Sequence, residues 1–166
     1  MCKMIVVVLM MALCAECVSA SPTASDRKTA VMAVVMEWLD KFNKQGPRAV
    51  VVTCADQTSI IGAFPPYTWT GVGACGRWAN DWVAFSGKDQ LDGCAMAPAT
   101  APRHFDSTSD RAYVVLDAVF TCDDKRRPLR EPGWTWTVAL KKAESGWQIV
   151  GWTWASPADS GIRADK

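Results

Sequence analysis

Few residues of this chain could do chemistry. Asp117 interrupts the otherwise apolar segment YVVLDAVF. A carboxylate held in an apolar cavity has its pKa raised and can act as acid, base or ligand anchor. His104 is the only histidine, flanked by Arg103 and Phe105. No serine or cysteine motif beside it completes a nucleophilic triad. Asp117 and His104 are therefore the acid–base candidates, against a bland alternative of an outward or salt-bridged aspartate and a half-exposed structural histidine. Gly71, Gly73 and Gly76 of GVGACG fit G-x-G-x-x-G, with Asp92 further on. The dinucleotide fold also needs parallel strands with crossovers, and the segments that follow read as hairpins. The glycines are read as a tight turn opening a helix, and no cofactor is expected.

The chain has seven cysteines. Its first residues give a lysine, the apolar run IVVVLMMALCA and then ECVSA, with Val18 and Ala20 at the −3 and −1 places of a cleavage site. Residues 1–20 are thus expected to be a signal peptide, too short to span a bilayer, with the mature chain in the periplasm or secreted. Cys14 follows Leu13 and Cys17 follows Glu16, which excludes a lipoprotein site. The cut removes Cys2, Cys14 and Cys17, and with them the redox-like C-A-E-C. Cys54, Cys75, Cys94 and Cys122 remain, an even number that favours disulfides in an exported chain. Three pairings are open. Hairpins that bring strand ends together favour Cys54–Cys75 and Cys94–Cys122. One histidine and no C-x-x-C after the cut leave no metal site.

The formal net charge is +1, which argues against nucleic acid or an anionic membrane as partner. Lys125, Arg126, Arg127 and Arg130 are hemmed by Asp123, Asp124 and Glu131, the pattern of a solvated turn.

These residues need elements to position them. Ser25 can cap a helix over 25–44, whose Val31, Val34, Val35, Trp38, Leu39 and Phe42 recur at helical spacing. Gly46 stops it and Pro47 starts a short second helix to about 54. TSIIGAF and YTWTG read as strands around Pro65-Pro66. A third helix over 72–85 sets Ala74, Trp78, Trp82 and Phe85 on one side. The rest reads as hairpins: a strand in PRHFDSTS, then DRAYVVLDAVFTC, GWTWTVALKK and GWQIVGWTWAS. The domain is 21–156, followed by a tail over 157–166.

GWTW occurs twice, at 133–136 and 151–154. Two copies eighteen residues apart make no solenoid. A hairpin with a three-residue loop at Glu144-Ser145-Gly146 pairs Ala143 with Trp147, Leu140 with Val150, Val138 with Trp152 and Trp136 with Trp154. Trp134 joins that massive face. Thr135, Thr137, Ala139, Ile149, Gly151 and Thr153 form the small one. A sheet with one buried face shows this alternation. Each tryptophan buries ~150–250 Å², so the rings are expected in the core and pocket wall rather than on an exposed stacking platform.

The order of these elements resembles the nuclear transport factor 2-like superfamily, also called SnoaL-like or ketosteroid-isomerase-like. EWLDKFNKQGPRAVVVTCADQTSIIGAF looks like its opening, GVGACGRWANDW like its third helix, and SGWQIVGWTWAS like its last strand. The resemblance implies an α+β fold, a cone-shaped curved antiparallel sheet packed on three N-terminal helices (cystatin-like, SnoaL-like), with a pocket at the wide end. It puts the isomerase's general base at Gly62, its tyrosine at Trp38 and its second aspartate at Val138, none of which can do that job. It also turns the Asp117 face toward the pocket, although apolarity alone would bury Ala112, Val114, Leu116, Ala118, Phe120 and Cys122. Trp38, Tyr67, Trp69, Val115, Asp117 and Trp136 are then the ligand-binding candidates. The expected protein is a homodimer binding a small hydrophobic or aromatic molecule. The alternatives are an isomerase, dehydratase or hydrolase using Asp117, and a non-catalytic interaction module.

Overall fold

The computed structural model describes residues 22–123, 129–158 and 160. The expected signal peptide and the basic turn at 124–128 lie outside them. Helix α1 spans Ala24–Gln45. Its cap is Thr23, not Ser25: the Thr23 side chain accepts from the Asp26 N–H and the Asp26 carboxylate accepts from Thr23 N–H, a capping box. The Thr23 hydroxyl and N–H hold the Asp26 carboxyl below the usual range. This support is present above the ordinary aspartate pKa and is lost as pH falls through the lowered one. Val31, Val35, Trp38, Leu39 and Phe42 form its buried stripe. Gly46 ends it, its N–H bonded to the Phe42 carbonyl, and Pro47 opens a 3-10 helix, Pro47–Thr53. Helix α2, Ala74–Lys88, starts at Gly73, which caps it in the left-handed conformation at φ 71°. Gly71 and Gly73, both at positive φ, thus serve a turn, and Gly76 lies within α2.

Seven strands follow the chain as β1 Cys54–Ile61, β2 Thr68–Val72, β3 Asp92–Pro98, β4 His104–Ser107, β5 Arg111–Asp123, β6 Leu129–Ala143 and β7 Gly146–Ala155. They form one curved sheet in the order β2-β1-β7-β6-β5-β3, with β4 also on β5. The sheet is mixed rather than wholly antiparallel, because β1 runs parallel to β7. β3 and β4 follow one another along the same edge of β5, and the chain leaves the sheet between them at Ala99–Arg103. The helices cover one face, and the core lies between.

The β6–β7 hairpin carries both GWTW copies. Trp136 faces Trp154 and Val138 faces Trp152, the expected register. The turn is tighter than expected: Ala143 pairs with Gly146 and Lys142 with Trp147. Leu140 then faces Ile149, and a bulge at Val150 restores the register. Ile149 is consequently buried in the core rather than placed on the small face. The two glycines of the repeat do different things. Gly133 has φ +89° beside a register shift in β5–β6, a conformation that costs other residues. Gly151 is extended, but a Cβ there would lie 2.7 Å from the Ser59 carbonyl oxygen of β1.

Side chains fill the free sheet edges. The Asn43 amide donates to the Met96 carbonyl and accepts from its N–H, both at 2.8 Å, so α1 completes the outer edge of β3. Arg77 donates to the carbonyls of Val72 and Thr70 at 2.6 and 2.7 Å, which does the same for β2. Disulfides join Cys54 to Cys75 and Cys94 to Cys122, the expected pairs. Each closes a loop of twenty to thirty residues, an entropic restraint on the unfolded chain of about 3 kcal/mol. Beyond β7, Ser160 is buried and its hydroxyl donates to Glu131 at 2.8 Å.

Gly151→Ala should lower stability by about 1–3 kcal/mol through overpacking against β1. Gly76→Ala, in α2 with open space around its Cβ, should be neutral or stabilising by up to ~1 kcal/mol. Urea unfolding of the two variants checks the contrast.

Candidate functional site

The candidate site is built around one ring. Trp38 is fully buried, and its helix carries it into the middle of an aromatic cluster. Its centroid lies 5.3 Å from Phe42, 5.8 Å from Trp78, 4.7 Å from Trp136 and 5.7 Å from Trp152. Helical spacing in α1 aligns Trp38 with Phe42, and in α2 aligns Trp78 with Trp82 and Phe85. From the sheet, period-2 alternation points Trp134, Trp136, Trp152 and Trp154 the same way. Trp136 and Trp154 stack as a cross-strand pair, 4.9 Å apart and 2° from parallel.

At the end of this cluster is a cavity of about 30 Å³. Helix residues Trp38, Phe42, Trp78 and Trp82 line one side. Met96, Phe120, Trp134 and Trp154 line the sheet side, and Gly62, Ala63 and Phe64 lie at the turn after β1. No ionisable side chain is among them. A Cβ on Gly62 would meet the Trp69 ring at 3.0 Å. The place where the resemblance puts a general base is thus filled by tryptophan.

Two carboxylates meet this aromatic interior from its margins. Asp81 accepts from Trp69 Nε1 at 2.7 Å, and Glu131 from Trp134 Nε1 at 3.1 Å. The indole N–H groups of Trp38, Trp78, Trp136 and Trp152 are buried, and among the described residues no group accepts from them.

The candidates separate into two sets. Trp38 and Trp136 belong to the cluster. Trp69 stands one ring behind the cavity, against Phe64 at 4.9 Å. Tyr67 is exposed in the turn, with φ 68°. Val115 and Asp117 are on the opposite face of β5 from the cavity. The inward residues are Ala112, Val114, Leu116, Ala118, Phe120 and Cys122, all in the core. The apolar set won this strand, and the expected turn of Asp117 toward the pocket is reversed. Asp117 lies where the chain leaves the sheet between β3 and β4. Its backbone carbonyl accepts from Ala99 N–H, and its carboxylate holds Arg103 at 2.9 Å. His104 is exposed on the same outer face, its ring edge-on to Tyr113 at 5.7 Å. Neither acid–base candidate reaches the cavity.

Most cavity residues were not among the site candidates. Their signal was present in the shared side of Trp78, Trp82 and Phe85 and in the inward row of the second hairpin. A second, larger groove of about 430 Å³ opens where β1 bulges away from β7. It is lined by Asp56, Gln57, Lys141 and Gln148, with Ala55 and Val150. Asp56, Gln57 and Lys141 are exposed there, and the groove is open to water. Among the described residues, no group of three or more His, Cys, Asp or Glu is placed to hold a metal ion, and no helix is long and apolar enough to cross a membrane.

No family profile and no curated protein sequence matches the chain. Solved structures do. A nuclear transport factor 2-like superfamily protein from Salmonella enterica serovar Typhimurium superposes with a TM-score of 0.67 at 17% identity, covering 84% of this chain and 97% of that one. An NTF2-like protein with a cystatin-like fold from Novosphingobium aromaticivorans gives 0.61 at 14%, over 81% and 84%. A ketosteroid isomerase-like protein from Erwinia carotovora gives 0.59 at 18%, over 78% and 95%. The fold is therefore the NTF2-like, cystatin-like α+β cone.

Trp38→Ala should cost about 3–5 kcal/mol, as large aromatic truncations in cores do. Asp117→Asn should change stability by no more than ~1 kcal/mol, because its ion pair with Arg103 is solvent-exposed. Chemical denaturation of both variants measures the difference.

Proposed function

We propose that this NTF2-like domain is exported and binds a small apolar or aromatic molecule in its tryptophan-lined interior, without chemistry. The observation that carries this reading is the cavity itself. It is lined by apolar side chains, is walled by flat rings, and lies against residues 62–64, where the turn joining β1 to β2 leaves the sheet. Ligand sites are typically apolar with a few placed polar groups. At about 30 Å³ the space takes only a few heavy atoms, so a larger molecule requires Phe64 and Trp82 to move apart. The candidates divide accordingly: Trp38 lines the cavity, Trp136 backs it at 4.7 Å, and Trp69 and Tyr67 support the turn.

The positions of Asp117 and His104 disfavour the catalytic alternative, since both stand across the sheet from the rings. Export rests on the leader-like residues 1–20 and is supported by two disulfides, which persist in oxidising compartments. Homodimerisation fits the outer face of β5–β7, where Tyr113 is exposed while Val115 is already largely covered. The same face would serve a non-catalytic interaction module.

Native mass spectrometry of protein expressed with its leader tests the reading. The expected species starts at Ser21, lacks four thiol hydrogens, has twice the chain mass and retains a small apolar molecule or takes up naphthalene. A chain that neither carries nor takes up such a molecule, with unchanged tryptophan fluorescence, would overturn the binding reading.

A further inference from the structure

The sheet gives up its ladder in one central place. β1 and β7 are in register at Cys54–Ile149 and again at Ser59–Gly151, so Ala55, Asp56, Gln57 and Thr58 stand opposite Val150 alone. Val150 is also skipped in the pairing of β7 with β6. Both ends of the gap are pinned. Cys54 is tied to Cys75, and Gly151 brings β7 so near β1 that a Cβ would lie 2.7 Å from the Ser59 carbonyl oxygen. Bonds outside the ladder hold the bulged segment itself. The Asp56 carbonyl accepts from Gly73 N–H at 2.9 Å, and the Thr58 hydroxyl donates to the Ala55 carbonyl at 2.7 Å. Bulges re-aim side chains and gather next to functional sites. This one opens the groove of about 430 Å³, which has the size of a small-molecule site.

The groove is chemically divided. Asp56 and Gln57 stand on its β1 wall. Lys141 and Gln148 stand on the β6–β7 wall, opposite one another in register. Ala55 and Val150 add apolar surface. Among the described residues, no ion pair or side-chain hydrogen bond engages Asp56, Gln57, Lys141 or Gln148. Arg111 lies beside Lys141 on β5, but Asp110 engages it at 3.7 Å. We propose that this groove binds a small zwitterion, an amino acid whose ammonium and carboxylate are separated by a short carbon chain. The carboxylate lies at Lys141 and the ammonium at Asp56. One base and one acid on opposite walls favour a ligand that leaves neither charge unanswered. A lone anion gains Lys141 and is repelled by Asp56, and a lone cation meets the converse. Asp56 and Lys141 are not paired with each other, which calls for ligand charges several bonds apart. The carbon chain rests on Ala55 and Val150. The amides of Gln57 and Gln148 both donate and accept, so they serve either end. The site is separate from the tryptophan-lined cavity and does not depend on it.

Three probes with the same carbon chain test this: γ-aminobutyrate carries both charges, butyrate the negative one and butylamine the positive one. Each is titrated at low ionic strength, where accessible charges are least screened, into the ¹⁵N-labelled, disulfide-bonded protein. The side-chain amides of Gln57 and Gln148 report occupancy. γ-Aminobutyrate should bind about fivefold more tightly than either single-charge probe, the effect of one solvent-accessible ion pair. Lys141→Gln should lower its affinity to that of butylamine, and Asp56→Asn to that of butyrate. Both side chains are exposed, so neither substitution should alter the fold. Lys142→Gln, at the neighbouring position outside the groove lining, should leave all three affinities unchanged. The proposal is overturned if the three probes bind alike, or if Lys141→Gln and Lys142→Gln behave alike. It is equally overturned if no probe moves the glutamine amides at tens of millimolar. None of these outcomes bears on the interior cavity.

Discussion

Trp38 is the contact on which the rest of the architecture converges. One indole from the middle of α1 touches Trp78 of α2 and the paired tryptophans of β6 and β7 at once. A sheet this curved leaves a wide gap above its concave side. Only a large flat ring can bridge a helix, a second helix and two strands from a single backbone position. Asn43, one turn further along α1, then holds β3 through its amide. One helix thus fixes both the centre of the sheet and one of its borders. The disulfides restrain the remaining junctions, where the 3-10 helix meets α2 and where β3 meets β5.

The same crowding sets the character of the interior. Tryptophans filling the core leave a narrow apolar space and no room for the carboxylates that related folds could carry there. Gly62 shows this most directly, because the Trp69 ring occupies the direction in which its side chain would point. Aromatic bulk and acid–base equipment compete for the same volume, and in this chain bulk has it.

The elements most legible in the sequence were those with strong local periodicity. The inward row of Trp136, Val138, Trp152 and Trp154 followed from counting outward from a turn. The loop length was one residue off, and a bulge at Val150 compensated. Burial dictated the outcome there: four indoles on one face outweigh the geometry of any single turn. The cysteine pairs followed from strand ends meeting. The parallel contact of β1 with β7 joins segments some ninety residues apart, and no local pattern announces it. Asp117 was misplaced because a family pattern was set against the plain alternation of β5. Six apolar residues on the inner side decided that strand, and the carboxylate went outward to Arg103. Thr23 displaced Ser25 as the cap because Asp26 lies three residues after it and completes the reciprocal pair. The four unpaired indole donors were invisible in the sequence, since tryptophan content says nothing about which acceptors reach them.

Asn43 and Arg77 occupy parts of the two borders of the sheet, on β3 and β2, with side-chain hydrogen bonds in place of a further strand. An extended peptide docking at those positions would have to displace an amide or a guanidinium already bound to the backbone it seeks. Strand addition at those positions, a common route by which sheets polymerise or recruit linear motifs, is thereby obstructed. A variant that lost Asn43 would risk indiscriminate strand capture more than loss of fold.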